Sequence, residues 1–445
     1  MYEGSGNKMY TEPEIIVGLD LGTSKIAVVV AERDSRFQDA QIIGVGYAPS
    51  LGIRKGLIVN LEQAVQAVRM AVQDAEKMVG FEIDEATVAF SGIDATSVTS
   101  RGMVSLGRVP RQVGVQDIER VIEAAQSELA VPSNRVTLHT IPVKYSLDGN
   151  SGIDDPLGMT GIRLEIELQS VIVPTSVLQN IINCVESAGI TVNGLVIKSL
   201  ASALGSLTDE ETRTGAVSLC IGGGTTGVAL FADGRPVRLA VIPIGGDHIT
   251  NDLAYVLKIP ISKAEMIKQQ ISLLSDENED AIEVEARGRT KVLNVPDAID
   301  VISCRLEELF TEHVSKSLAD QSVHMFPAGI VLSGGVAKTG GIEIFTTEVL
   351  NLPVRIAEPL DSFQMPPGRN DCEYTTSSGI IRYIMNKERN PYRYIEAPIE
   401  VLRSGGVSAY VAAQRGGHQR NTKSANGEGF RHFLEMVKKS MKELF

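Results

Sequence analysis

Residues 217–231 read VSLCIGGGTTGVALF, and this stretch decides the fold. An apolar run leads into three glycines and two threonines, and a second apolar run follows. Two β-rich runs around a turn of small residues predict a hairpin. Glycines in such a turn let backbone N–H groups close on an anion, and threonine hydroxyls donate to phosphate oxygens. Cys220 stands at the end of the first run, where a loop handling phosphate with magnesium is expected to carry a carboxylate. The hairpin therefore reads as a phosphate holder with an acid missing.

The pattern occurs twice. Residues 15–32, IIVGLDLGTSKIAVVVAE, repeat it 200 positions upstream. Asp20 falls on Cys220, Gly22 on Gly222, Thr23 and Ser24 on Gly223 and Gly224, and Lys25 on Thr225. Repetition at this distance predicts two similar halves of one fold. In the first copy Lys25 adds positive charge, and Asp20 can orient water on a magnesium ion. Neither copy is a dinucleotide fingerprint, because each turn leads into a strand. A glycine-rich surface hairpin is the plainer reading of either copy alone; the repeat favours a phosphate cleft.

Two further motifs accompany the hairpins. Residues 328–343, AGIVLSGGVAKTGGIE, read as a strand, the pair Gly334–Gly335 and a helix carrying Lys338, where a base and ribose can lie against bare backbone. Residues 242–257, IPIGGDHITNDLAYVL, hold Gly245, Gly246 and Asp247, and SKAEMIKQQ follows. Ser262 is expected to cap a helix placing Glu265 and Lys268 on one face. That pair reads either as a nucleotide contact or as a solvated ion pair.

Composition narrows the classes. The chain has 445 residues and a net charge of -13, which argues against a nucleic-acid binder. Its four cysteines, Cys184, Cys220, Cys304 and Cys372, are far apart and read as packed thiols. The start of the chain, MYEGSGNKMYTEPE, has no apolar core of a secretory signal. No apolar run approaches the roughly 20 residues of a membrane span. The cytosol is the expected compartment. Cys220 as a nucleophile is an alternative to Cys220 as buried filler.

Between the motifs, residues 60–80 predict a helix with Asn60 as N-cap, Gly80 as its stop and a stripe of Leu61, Val65, Val68, Val72, Ala75 and Val79. Residues 297–318 predict another, with Ile299, Ile302, Leu306, Leu309, Phe310 and Val314 on one face. Alternating runs from TVAFSG to IRLEIELQSVIV, with one helix among them, predict a small α+β unit. The acidic run SDENEDAIEVE reads as a solvated loop and strand.

The end of the chain changes character. From about Val401 it is rich in Gly, Ser and Asn and reads as a flexible linker with a reach of roughly 25–30 Å. The last sixteen residues, FRHFLEMVKKSMKELF, put Phe430, Phe433, Leu434, Val437, Met441, Leu444 and Phe445 on one helical face. Arg431, Lys438, Lys439 and Lys442 flank it. This predicts an amphipathic helix about 24 Å long that lies in an anionic membrane surface. Docking on the protein's own body is the other reading, which the long tether disfavours.

Two hairpins, a GG-containing strand–turn–helix and an acid–base helix, in this order, resemble the actin-like ATPase superfamily. Within it, PSLGIRKGLIVNLEQAVQAVRMAVQDAE from Pro49, GGDHITNDLAYVL and the tethered terminal helix are similar to the FtsA family of bacterial cell-division proteins. The resemblance implies an α/β, two-lobed actin-like fold with an FtsA-type inserted subdomain and a C-terminal amphipathic helix. It implies ATP and magnesium in the cleft, held by Asp20, Gly22, Thr23, Ser24 and Lys25 and by Gly222, Gly223, Gly224, Thr225 and Thr226. Gly245 and Gly246 belong to the same cleft. Gly334, Gly335 and Lys338 would flank the adenine, and Glu265 and Lys268 would reach the ribose or base. The family's second loop reads D-I-G-G-G-T-x-D, whereas this chain has Cys220 and Gly227 at the two acidic positions. Hydrolysis is accordingly expected to be very slow or absent.

The implied division of the chain is a disordered start over 1–13 and a first lobe over 14–85, 165–202 and 372–398. An inserted subdomain covers 86–164. The second lobe covers 203–245 and 315–371, with an outer subdomain over 246–314. A linker over 399–428 and a membrane helix over 429–445 complete it. The implied partners are FtsZ, further copies of the chain in filaments, an anionic membrane and other division proteins through the inserted subdomain. The implied place is the cytoplasmic face of the bacterial membrane at the division site. A pilus-assembly module like PilM, or a small-molecule kinase of the same fold, is the alternative.

Overall fold

The computed structural model describes residues 14–33, 40–277, 279–286, 289–319, 325–360 and 371–403. The expected start, the linker beyond Arg403 and the terminal helix, with Phe430, Phe433, Leu434, Val437, Lys438, Lys439, Met441, Lys442, Leu444 and Phe445, lie outside the described residues. The described residues divide into two compact units, one within 14–93 and 183–384, the other within 94–182 and 385–403.

The first unit holds two five-stranded sheets built to one plan. In the first sheet the order is Thr191–Ile197, Glu85–Phe90, Glu14–Leu21, Lys25–Arg33, Ala40–Pro49. In the second it is Val354–Ile356, Ile330–Ser333, Ala216–Ile221, Thr226–Ala232, Arg235–Ile242 when read in the same direction. Each sheet joins an antiparallel meander to two parallel strands. The registers repeat as the sequence does. Leu21 pairs with Ile26 and Asp20 with Ala27 in one hairpin; Ile221 pairs with Thr226 and Cys220 with Gly227 in the other. The 200-residue offset thus holds at the level of strand pairing.

Strand Ala216–Ile221 is buried at every position, as expected of a β-branched and small-residue run covered on both faces. Helix Leu61–Val79 starts at Asn60, whose side chain accepts from the Gln63 N–H at 3.1 Å, and stops at Gly80, in the left-handed conformation at φ 82. Its buried face differs from the expected stripe. Ala64, Ala67, Val68, Ala71, Val72 and Ala75 are buried, while Leu61 is 48% exposed. The cause is the strand beneath: a Cβ on Gly46 would stand 2.2 Å from the Ala75 nitrogen. Backbone meets backbone there, so only small side chains fit between.

Helix Val295–Glu308 continues through one wide turn, Leu309–Val314, into Ser315–Leu318. Ile302, Leu306, Leu309, Phe310 and Val314 are buried as expected, and Ile299 is partly so. The acidic run gives a short turn, Ser275–Glu277, and strand Ala281–Ala286, which pairs with Arg289–Asn294.

The second unit contains a sheet ordered Asn150–Ile153, Arg135–Leu147, Arg163–Pro174, Thr96–Ser105, with helix Val115–Ser127 packed on it. Gly102 permits that packing, because a Cβ there would meet the Val121 carbonyl at 2.4 Å. Leu164, Ile166 and Leu168 face Ile118, Val121 and Ile122 in its core. Arg111 binds Asp117 at 2.7 Å where the helix begins.

The expected edges of the inserted subdomain move. Its expected start, Ala86, falls within strand Glu85–Phe90, which pairs with Glu14–Leu21 and Thr191–Ile197 in the first sheet. At the other end, Arg163–Pro174 pairs with Arg135–Leu147 and Thr96–Ser105 and so belongs to the second unit. Short alternating runs look alike in sequence whichever sheet they join. The chain returns to the second unit after Ile384, where Ile395–Glu396 adds to Arg135–Leu147, and Ile399–Arg403 is a helical turn. The expected linker therefore begins with ordered residues. No helix among the described residues is long and apolar enough to cross a membrane.

Candidate nucleotide site

Both hairpin turns and the start of helix Lys198–Ser206 meet within the first unit. Thr23, Ser91, Lys198, Ser199, Cys220, Gly222, Gly223, Gly224 and Thr225 line a small cavity of about 20 Å³ there. The turns are close enough that glycine is required. A Cβ on Gly223 would stand 1.9 Å from the Ser24 hydroxyl, and one on Gly224 would stand 2.7 Å from the Thr23 hydroxyl. The Gly222 N–H donates to the Thr225 carbonyl at 2.9 Å, closing the second turn. Thr23 accepts from the Gly56 N–H at 3.1 Å.

Gly245 and Gly246 serve the second turn from behind. The Gly246 N–H donates to the Gly222 carbonyl at 2.9 Å, and the Asp247 N–H donates to the Gly223 carbonyl at 2.7 Å. The start of helix Gly246–Val256 thus braces the loop by its carbonyls. Thr226 departs from the expectation: its hydroxyl donates to the Ile244 carbonyl at 2.8 Å, and the side chain is fully buried. It shapes the turn and does not face the cavity. Thr225 is nearer, donating to the Ser91 hydroxyl at 3.2 Å.

The charged residues form pairs. Lys25 reaches away from the second turn to Glu373 at 2.8 Å and lies 4.0 Å over the Tyr374 ring. Lys338 joins Asp371 at 3.0 Å and Glu373 at 3.3 Å, and these carboxylates raise its pKa. Gly334 takes a positive φ of 86, and Gly335 beside it has open space where a Cβ would be. Glu265 and Lys268 are 2.6 Å apart, and Thr250 joins both: it donates to Glu265 at 2.5 Å and accepts from Lys268 at 2.9 Å. Burial works against the Glu265 charge, but Lys268 and Thr250 outweigh it and hold its pKa low. This is a fixed polar node, not a loose solvated pair. Its helix, Ile261–Gln270, begins after Pro260, so Ser262 lies inside the first turn and is not the cap.

Lys198 was not foreseen. It opens helix Lys198–Ser206 directly after strand Thr191–Ile197, and its ammonium is 2.9 Å from both oxygens of Asp20. Asp20 is only 3% exposed and the Lys198 side chain 17%. Burial disfavours the ammonium charge, yet Asp20 more than offsets this and raises the Lys198 pKa. The residues are 178 positions apart, which hides the pair from local reading. Its signal was a lysine at the end of an apolar strand parallel to the first hairpin's own neighbours.

These residues do not fit a divalent ion held by protein carboxylates. Asp20 is engaged on both oxygens, position 220 offers a thiol, and position 227 has no side chain. Among the described residues no three His, Cys, Asp or Glu side chains group as metal ligands. Asp247 is half-buried beside Gly223, and burial pushes its carboxyl upward in pKa. The fit to a phosphate chain is better. The glycine turns oppose each other, and the buried Ser199 hydroxyl, 1% exposed and lining the cavity, has no hydrogen-bond partner.

Relatives decide the family. The chain is 36% identical to the cell division protein FtsA of Pseudomonas aeruginosa over 381 residues, covering 84% of this chain and 90% of that protein. It is 34% identical to FtsA of Bacillus subtilis over 403 residues, 89% of this chain and 90% of that one. The chain belongs to the FtsA family of cell-division proteins. FtsA of Escherichia coli is 31% identical over 415 residues, 90% of this chain and 96% of that protein. The family model for cell division protein FtsA matches residues 217–379, and that for the SHS2 domain inserted in FtsA matches 92–172.

Solved structures agree on the actin-like fold of FtsA. The PilM–PilN type IV pilus biogenesis complex aligns with a TM-score of 0.59 at 16% identity, covering 83% of this chain and 98% of that one. MreB5 of Spiroplasma citri bound to ADP aligns at 0.51 and 15% identity, covering 85% and 99%. At such identities these matches speak for the fold alone. The PilM-like alternative is not favoured beside FtsA relatives at 31–36% identity.

Proposed function

We propose that this FtsA-family chain binds ATP between its two hairpins, assembles into filaments on the cytoplasmic face of the membrane at the division site, and ties the FtsZ ring to that surface. The observation that carries the nucleotide reading is the pair of opposed glycine turns at the same register in two sheets of one plan. ATP supplies the phosphate chain. Gly22, Gly223 and Gly224 give it backbone N–H groups, and Thr23 and Ser24 give hydroxyls. The Thr250–Glu265–Lys268 node offers a fixed donor and acceptor to a ribose, and Gly335 leaves room for a base. A cavity of about 20 Å³ holds little more than a water, so the turns part as phosphate enters. Nucleotide is in this reading a ligand that sets the shape competent for assembly.

The terminal segment supports the membrane part by its sequence. Four basic residues flank an apolar face, so each helix binds an anionic leaflet weakly and a filament binds it strongly. The inserted unit is the surface for other division proteins. Hydrolysis is very slow or absent, because neither Cys220 nor Gly227 can position an attacking water.

The test follows doubly labelled ATP on the purified chain, beside Cys220→Asp. Intact ATP retained for hours by the parent supports a holding site. Steady phosphate release by the parent refutes the account of Cys220. Failure of the parent to bind nucleotide under any condition refutes the site itself.

A further inference from the structure

Lys198 stands where a cleft of this design needs positive charge. It is delivered there by two elements: strand Thr191–Ile197 carries it to the same end of the sheet as Asp20, and the helix begins at Lys198 itself. No side chain caps that helix start. Its second residue, Ser199, lines the same cavity and has a buried hydroxyl without a hydrogen-bond partner. A cation, a hydroxyl and the positive end of a nine-residue helix therefore converge beside the second glycine turn.

The charge balance is the argument. A phosphate cleft with acids at both hairpin ends carries two negative charges before nucleotide arrives and attracts a dication. Here the Asp20 carboxylate is already matched by an ammonium, and position 220 carries a thiol. A divalent ion would have to take a buried carboxylate from a lysine that binds both its oxygens. Phosphate, by contrast, gains from the same lysine, whose remaining hydrogen can point to an oxygen while Asp20 holds the other two.

We propose that Lys198 is the resident cation of this cleft, and that it and Ser199 receive the terminal phosphate so that nucleotide is held without a divalent metal. This rests on the nucleotide reading given above. The chemistry selected is a nucleoside triphosphate bound as its free anion. The lysine is a positioning and binding group; no bond is made or broken.

The experiment measures equilibrium binding of radiolabelled ATP to the full chain, once with magnesium and once with a chelator, for the parent, Lys198→Met and Lys198→Arg. The parent is expected to bind within about threefold in the two conditions, a difference below one charge-assisted contact. Lys198→Met should lose about ten- to a hundredfold in chelator and regain part of it with magnesium. Lys198→Arg should keep the insensitivity to chelator. Because Lys198→Met strips a buried carboxylate of its partner, Asp20→Asn with Lys198→Met is the matched control for folding. Loss of ATP by the parent in chelator alone overturns the proposal and leaves the nucleotide reading standing. Loss in both conditions overturns both.

Discussion

His139 should make the second unit sensitive to mild acid. It is fully buried in strand Arg135–Leu147, opposite Val171 on one side and Glu396 on the other. Burial, with Lys387 adding its charge, lowers its pKa to about 3. An unfolded histidine titrates near 6.5. The sign follows from these two values. Above about pH 6.5 neither state holds the proton, so the imidazole costs nothing. Below it the unfolded chain gains a proton that the folded unit refuses. Stability then falls by about 1.4 kcal/mol for each pH unit down to the folded value, or about 2 kcal/mol at pH 5. Lys387 is itself tied to Glu396 at 2.7 Å.

Hydrogen exchange of peptides spanning 135–147 and 163–174 reads this unit separately from the other. With intrinsic rates corrected, protection at pH 5 should be about thirtyfold lower than at pH 7. His139→Gln or His139→Leu should flatten that dependence, whatever each does to protection at pH 7. An equal acid loss in parent and variants would refute the reasoning, because the protons would then be entering elsewhere.

Two further outcomes test other parts of the first unit. Helices Lys198–Ser206 and Thr375–Arg389 meet at Gly205 and Gly379, where a Cβ on either would stand 1.8 Å from a carbonyl oxygen, of Thr375 or of Ala201. Gly205→Ala gains only about 1 kcal/mol of helix preference, so a net loss of about 2 kcal/mol or more is expected in urea unfolding; an unchanged midpoint would contradict the crossing. Thr250→Val removes the hydroxyl that joins Glu265 to Lys268 and should weaken ATP binding about three- to tenfold; unchanged affinity in the same equilibrium assay would return that pair to the solvent.

The hairpins were legible because turn and strands each carry a local signature, and because the pattern recurs. The structure carries the repeat into the strand registers, where Cys220 pairs with Gly227 as Asp20 pairs with Ala27. What local reading missed depends on packing between distant segments. The buried face of helix Leu61–Val79 is rich in alanine because Gly46 lies beneath it, and no periodicity within the helix reports that. Strand Glu85–Phe90 joins the first sheet through partners at Gly18 and Thr191, far away along the chain. Lys25, beside a phosphate turn in sequence, is drawn off by Glu373. The lysine that does face the cavity comes directly after an apolar strand, but its partner Asp20 lies 178 positions away.

The missing acids and the unforeseen lysine are one geometric arrangement. A Cβ on Gly227 would stand 3.1 Å from the Cα of Ser199. Any side chain at that position would press on Ser199 at the start of the helix. A Cβ on Gly22 would stand 2.4 Å from the Lys25 carbonyl oxygen, so glycine there serves the first hairpin turn itself. The bare position at 227 lets the start of the helix lie close against the second hairpin, and Lys198 there binds both oxygens of Asp20. Restoring an acid at 227 without moving the helix would collide with Ser199. Restoring one at 220 would place a second carboxylate in the cavity that Lys198 lines. With a thiol at 220, bare backbone at 227 and Lys198 on both oxygens of Asp20, these residues suit an anion better than a metal held by carboxylates.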